Sequence, residues 1–432
     1  ENYYLDLKAG ESVQIEARNY SSLGDVTNED IFIVVADDFG NQSRAVTVDN
    51  ITKTITAGTT NLASELNIII FARDALIYEI NSSTQGFDNI QDFLMDGNEE
   101  ISYKNAYFVI TLYLTDGSAT NPYIINDAND FWDIDLNEQS LDAHYRLMTN
   151  VDITDTSTAM HTISNFSGTI TSHSVNGIDY IYSLYGFTLT NDVRNLFSNF
   201  SGTIENVNFV VNYAYSVSTT DSLRLGVFDR NAGTLTNVSV NISGNTSLNN
   251  SQDVVFGGLV AENEGYIEYN SDTIIGSTGS LTMSGTAVVS FGGLVGENMG
   301  VIVGCYDADD TDDSQDQTTV DLSVYILDGG AMASINIVAN LNANSQIGGL
   351  VGYNGLNGSI ANAYVTGSIS SNTNNVGGVI GRNESVPSNV TINLNASGAY
   401  IDSVDIIDSE YTLTNVVSSV VLTGNNYIGG IV

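Results

Sequence analysis

Apolar residues along this chain come in short runs, and few of those runs keep the three- to four-residue spacing of a helix face. Val, Ile, Tyr and Phe cluster in segments of strand length, and Gly, Asn, Asp, Ser and Thr interrupt them throughout. Branched and aromatic side chains suit a pleated surface and the interrupting residues are turn formers, so the pattern predicts an all-β chain. One stretch departs from it. Asn126-Asp-Ala-Asn-Asp-Phe-Trp-Asp-Ile-Asp-Leu136 predicts a short amphipathic helix with Asn126 or Asp127 as its N-cap. Its Phe131, Trp132, Ile134 and Leu136 require an apolar surface to cover. The open end of a stack of strands is such a surface, because an uncovered end exposes unpaired backbone groups. The competing reading makes Trp132 a platform on which a ligand stacks.

The pattern divides the chain into three. Over residues 1–117, strands at Ile31 to Ala36, Ser43 to Val48, Leu66 to Phe71, Leu76 to Ile80 and Tyr107 to Leu114 alternate with tight turns. Antiparallel pairs of this kind predict a β-sandwich. Val35-Ala-Asp-Asp-Phe-Gly-Asn-Gln-Ser43 resembles the last hairpin of bacterial Ig-like surface domains, which implies an Ig-like fold for this region. Residues 118–154 read as a junction and cap. Residues 155–432 repeat.

The repeats are of two kinds. Ser164-Asn-Phe-Ser-Gly-Thr-Ile170 recurs as Ser198-Asn-Phe-Ser-Gly-Thr-Ile204. A second series runs Phe256-Gly-Gly-Leu-Val-Ala-Glu-Asn263, Phe291-Gly-Gly-Leu-Val-Gly-Glu-Asn298, Ile347-Gly-Gly-Leu-Val-Gly-Tyr-Asn354 and Val376-Gly-Gly-Val-Ile-Gly-Arg-Asn383. Leu225-Gly-Val-Phe-Asp-Arg-Asn231 is a degenerate copy, and Ile428-Gly-Gly-Ile-Val432 is cut short, which suggests a native chain that continues beyond Val432. The first glycines fall at 257, 292, 348, 377 and 429, in steps of 35, 56, 29 and 52 residues. The shorter steps fit one coil of a solenoid; the longer ones hold either an inserted loop or an extra coil without its glycines. Stacked coils would bring equivalent residues into columns, with inward Leu, Val and Ile in apolar stacks and glycine permitting positive φ and close approach at corners. Asn263, Asn298, Asn354 and Asn383 would form a ladder of side-chain amides.

The Gly-Gly-Leu-Val-Gly-x-Asn series resembles the GLUG motif repeats of large bacterial surface proteins and adhesins. Tyr123-Ile-Ile-Asn126 and Ala143-His-Tyr-Arg-Leu-Met-Thr-Asn-Val-Asp-Ile153 are similar to the segment that leads into such repeats. The resemblance covers about residues 120–432 and implies a non-catalytic surface module. The expected architecture is therefore a right-handed parallel β-helix, or solenoid, over 155–432, preceded by the β-sandwich of 1–117 and the cap of 118–154.

Charge narrows the partners. The chain carries 51 Asp plus Glu against 11 Lys plus Arg, a formal charge of −40. Nucleic acids and anionic membranes are poor partners for it, because binding them takes clustered basic residues. No apolar run reaches the length of a membrane span. A single cysteine, Cys305, excludes an internal disulfide.

Candidate chemistry is sparse. His144, His161 and His173 lack metal-hydrolase spacing, although His161 and His173 have a spacing compatible with one strand face. Arg194, Arg224 and Arg230 lie near Asp192, Asp221 and Asp229 and predict either a lined groove or surface ion pairs. Asp307, Asp309, Asp310, Asp312, Asp313 and Asp316 form an acidic run in the longest step. Its oxygens suit calcium, although the spacing is not that of an EF-hand; a solvated acidic loop is the other reading. The expected protein is extracellular or cell-surface, not an enzyme, and meets glycans or proteins of other cells or matrix, or copies of itself. A polysaccharide lyase or hydrolase on the same fold, and a self-assembling filament or sheath subunit, are the competing classes.

Overall fold

The computed structural model describes residues 4–16, 31–37, 43–59, 65–72, 107–136, 141–175, 178–270, 274–304, 332–384, 390–394, 401–406 and 413–432. The chain forms two compact units, Glu1–Ile124 and Ile125–Val432.

In the first unit, strands Tyr4–Lys8, Tyr107–Thr115, Glu65–Ala72 and Ile31–Ala36 lie side by side in that order. Tyr4–Lys8 is parallel to its neighbour, and the other pairs are antiparallel. A second sheet pairs Ser12–Gln14, Thr54–Ala57 and Val46–Asp49 antiparallel. Both sheets feed one core: Leu7, Ile33, Val35, Ile68, Leu112 and Leu114 from the first meet Val46, Ile55 and Ala57 from the second. The strand expected from Ser43 starts at Val46, and the one expected at 76–80 lies outside the described residues. The Asn50 side chain pairs with the backbone of Ile33 as a neighbouring strand would. It accepts a hydrogen bond from the Ile33 amide at 2.7 Å and donates to the Ile33 carbonyl at 2.9 Å.

The second unit is a set of parallel columns. Leu223–Leu225, Val254–Gly257, Val289–Gly292, Gln346–Gly348, Asn375–Gly377 and Ile428–Gly429 stack in register as a glycine sheet. Ile163–Ser164, Phe197–Ser198, Phe228–Asn231, Val260–Asn263, Val295–Asn298, Val351–Asn354 and Ile380–Asn383 form an asparagine sheet. A long sheet carries two more columns, which merge where Ser359–Ser371 runs through both. Each full coil passes from the glycine sheet to the asparagine sheet and on through both columns of the long sheet. These are the long parallel sheets of a β-helix.

Register resolves the uneven spacing. Gly257, Gly292, Gly348, Gly377 and Gly429 are successive partners. The steps of 56 and 52 residues are therefore single coils with insertions. One insertion includes the antiparallel pair Val390–Leu394 and Ile401–Ile406.

Strand alternation sends every second side chain into the stack. Phe197 stacks on Phe228 at 5.0 Å between centroids, and Phe256 meets Phe291 edge-on at 5.3 Å. The predicted helix forms at Ala128–Leu136. Asp127 caps it by accepting from the Asn129 and Asp130 amides, and Asp130 reaches back to the Asn126 and Asp127 amides. Phe131 lies 6.5 Å from Phe197, and Trp132 donates from its indole nitrogen to the Ile153 carbonyl at 2.8 Å. Trp132 is 1 % exposed, so it covers the first coils and offers no face to a ligand.

The asparagine ladder is continuous. Asn231 donates to Asn263, Asn263 to Asn298 and Asn298 to Asn354, each at 2.8 Å, and Asn354 donates to Asn383 at 2.9 Å. Asn231, Asn263, Asn298 and Asn354 are 0 % exposed. Each amide thus serves the coil on either side, away from water. Substituting Asn298→Ala strands the Asn263 donor and the Asn354 acceptor, and a buried unpaired group costs about 1–3 kcal/mol. The variant is expected to lose about 2 kcal/mol or more in urea unfolding; an unchanged midpoint would show that the ladder bears no load.

Candidate binding surface

Packing dictates nearly every position of the repeat. The leading Phe, Ile or Val and the Leu-Val pair enter the core, and the terminal Asn enters the ladder. Glycine is required by contact with backbone. A Cβ on Gly257 would stand 1.7 Å from the Val260 carbonyl oxygen, and one on Gly352 would stand 2.6 Å from the Phe291 nitrogen. Positive φ is not the reason. Of the motif glycines only Gly226 adopts it, whereas Asn206, Asn237 and Asn362 supply it at 58°, 52° and 53° between the two columns of the long sheet. The expectation that glycine turns the repeat's corner through positive φ is thereby corrected: the glycines let the glycine and asparagine sheets close at a sharp angle.

Beyond the glycines the two sheets set two rows of side chains against each other. One wall is the row Arg224, Val255, Ser290, Gln346 and Asn375 on the glycine sheet. The other is the row Arg230, Glu262, Glu297, Tyr353 and Arg382, the variable position before each ladder asparagine. The walls touch. Arg224 forms an ion pair with Glu262. The Ser290 hydroxyl donates to the Gln346 side-chain oxygen at 2.8 Å and lies beside the Glu297 carboxyl. Glu262 is 9 % exposed and Ser290 8 %, and the contacts between the rows contribute to that burial.

This crowding shows in the protonation chemistry. Burial raises the Glu297 carboxyl above its ordinary value, and the Glu262 charge adds to the rise. The Tyr353 hydroxyl donates to Glu384 at 2.6 Å, and that bond first, then burial, pushes the phenol up to about 12. Arg382 lies 5.7 Å from the Tyr353 ring centre and pairs with Glu384. Arg230 pairs with Glu264.

The structure assembles the predicted residues unevenly. Arg224 and Arg230 do form ion pairs, but with Glu262 and Glu264 of the next coil and not with the nearby aspartates. His161 sits against Trp132 at 4.5 Å, with Asp135 3.1 Å from its Nε2. His173 follows strand Thr169–Ser172 on the long sheet, where burial and then Arg146 hold it below the ordinary histidine value. The two histidines therefore do not share a strand face. The acidic run Asp307, Asp309, Asp310, Asp312, Asp313 and Asp316, with Cys305, lies outside the described residues. Among the described residues no three His, Cys, Asp or Glu converge as metal ligands, and no helix is long and apolar enough to cross a membrane. Glu262 and Glu297 escape a motif search because the repeat treats their position as filler. The legible signal is that this position alone changes chemistry, through Arg, Glu, Glu, Tyr and Arg.

Residues 343–370 match the family model of the GLUG motif. That stretch holds Gln346–Gly348, Val351–Asn354 and most of Ser359–Ser371, about one coil. No curated protein matches the chain. A solved structure titled "IgA1 Protease" is similar at 15% identity and a TM-score of 0.38, over 97% of this chain. The chain spans 28% of the length of that one.

The raised Glu297 has a sign that can be checked. Its folded value lies above its unfolded one, so as pH rises the unfolded chain releases the proton first and stability falls through the raised value. Glu297→Gln cannot ionise. It is expected to be more stable than the parent at pH 7 and to lose that advantage below the ordinary carboxylate value of 4.5. Urea unfolding at the two pH values reads this directly, and a variant weaker than the parent at pH 7 would contradict it.

Proposed function

We propose that this chain is a non-catalytic extracellular or cell-surface module, a stiff stalk or display surface within a larger protein. The observation that carries this reading is unbroken register. Five motif glycines and five ladder asparagines stack coil on coil despite insertions of very different length. A solenoid of this kind supports itself through nearest-neighbour contacts and carries its variation outward, on faces and loops. The GLUG match over one coil and the shared core of two small sheets in the first unit support the same reading. In it, the first unit is an Ig-like β-sandwich that acts as a spacer. Partners are glycans or proteins of other cells or matrix, or further copies of the chain. The formal charge of −40 favours uncharged or cationic partners over polyanions.

Immunogold electron microscopy of intact source cells, with antibody raised against residues 125–432, tests it. Label on the outer surface or on projecting fibres is the expected result. Label confined to the cytoplasm would rule the reading out, and label only in spent medium would move a secreted enzyme ahead of it.

A further inference from the structure

We propose that the outer face of the long sheet docks on the same face of a second copy of this chain; this names a partner for the surface module read above, and rests on that reading. Seven strands make the face: Tyr182–Leu189, Val207–Tyr213, Ser239–Leu248, Ser277–Ser284, Ala333–Asn340, Ser359–Ser371 and Leu413–Thr423, each parallel to the next. None of them contains Asp, Glu, Lys, Arg or His, in a chain of formal charge −40. Asp152 borders the face, on the strand beyond Tyr182–Leu189. The other faces carry charge: Arg224 on the glycine sheet, Glu262 and Glu297 on the asparagine sheet, and Glu205 and Glu268 on the other column of the long sheet. What the uncharged strands turn outward is mostly short and polar. Asn245, Thr282, Val338, Ser370 and Thr423 are successive partners across five coils, and all are exposed.

Three observations choose a second copy as the occupant. The first is complementarity. A two-fold dimer sets one patch against itself, so the patch must complement itself. Hydroxyls and carboxamides both donate and accept, so a face of Ser, Thr and Asn hydrogen-bonds to its own copy, whereas a face of one charge does not. The second is charge. Copies that each carry −40 repel wherever their acidic surfaces meet, and this face brings no ionised side chain of its own to the contact. The third is area. Seven strands about 4.8 Å apart, each about seven residues long at about 3.3 Å per residue, offer about 650 Å² per copy and about 1,300 Å² in all, which is within the range of specific interfaces. Apolar anchors stand on the first strand, a middle one and the last: Tyr185 is 38 % exposed, Val338 51 % and Val421 70 %. Burying them adds a gain that hydrogen bonds exchanged with water do not supply.

Sedimentation equilibrium of the full chain, from micromolar to millimolar concentration in dilute buffer and in high salt, tests this. A monomer–dimer equilibrium is expected, tighter in high salt because screening weakens the repulsion between acidic copies. Val338→Asp and Thr282→Asp each bring a carboxylate into the contact and are expected to weaken the dimer about tenfold or more. Leu356 is 64 % exposed in the turn after Val351–Asn354, off the face, so Leu356→Asp is expected to dimerise as the parent does. Circular dichroism melts of the three variants establish that the coils remain folded. A parent that stays monomeric over the whole range, folded face variants that dimerise like the parent, or a Leu356→Asp dimer as weak as theirs would overturn the inference. Surface label in the microscopy together with a monomeric chain would sink this inference alone, whereas cytoplasmic label would sink the reading beneath it.

Discussion

Everything in the second unit depends on hydrogen bonding between coils. A single coil has no partner for its strand amides and carbonyls, and no core of its own. Only the next coil, held in register, satisfies both needs. The backbone pairs set the spacing, but they leave register degenerate, because any shift by two residues preserves the alternation of faces. The asparagine ladder removes that freedom. Each buried amide must find its counterpart at 2.8–2.9 Å, and a slipped coil would leave a donor and an acceptor buried without partners. A second, shorter ladder does the same between the columns of the long sheet, where Asn237 bonds to Asn206 and to Asn270. Asn237 also sits at positive φ, so one residue turns the chain and locks the turn to its neighbours.

The ladder in turn explains why the repeat is so uniform and where it is free to vary. Closing two sheets against each other places main chain so near main chain that a Cβ at Gly257, Gly292, Gly348 or Gly377 would overlap a carbonyl oxygen. The apolar positions are committed to stacks, where an added or missing methylene is felt through several coils. Within the motif, what is left is one position per coil on the asparagine sheet and one facing it on the glycine sheet; the long sheet adds its own outward positions. Because the coils are in register, those positions become two continuous rows without any further design. Chemistry on such a surface is therefore written in columns. Neighbouring entries such as Glu262 and Glu297 are distant in sequence and adjacent in space.

Much of this was legible in the sequence, and the reason is periodic redundancy. A single Gly-Gly-Leu-Val is weak evidence, but four Gly-Gly copies ending in asparagine point to stacking, and the stacking makes the Asn263–Asn298–Asn354–Asn383 ladder follow. The cap was legible too, since Asp127 and Asp130 sit at the positions that satisfy free helix amides ahead of Phe131 and Trp132. Other features were not. Whether a 56-residue step hides an extra coil depends on register, and insertion length carries no information about that. The partners of Arg224 and Arg230 lie 38 and 34 residues on, beyond any local search for carboxylates. The role of the motif glycines was visible only in part, because positive φ and close approach select the same residue for different reasons. In this chain close approach is the one that acts at Gly257, Gly292, Gly348 and Gly377.

The scarcity of basic residues gives the two facing rows their particular character. Isolated surface ion pairs contribute little. Here Arg230 and Arg382 end the row that holds Glu262 and Glu297, and Arg224 stands in the row facing it. A carboxylate withdrawn from water needs either a cation or a proton. Glu262 has Arg224, whereas Glu297 has the Ser290 hydroxyl, and burial raises it toward the protonated form. Two neighbouring carboxylates in the same row are thus settled in two different ways, by a guanidinium and by a hydroxyl. That difference follows from the glycine-sheet row beside them, which reads Arg224, Val255, Ser290. The identity of one wall therefore determines the protonation chemistry of the other, and the two rows act as a single surface whose polarity changes from coil to coil.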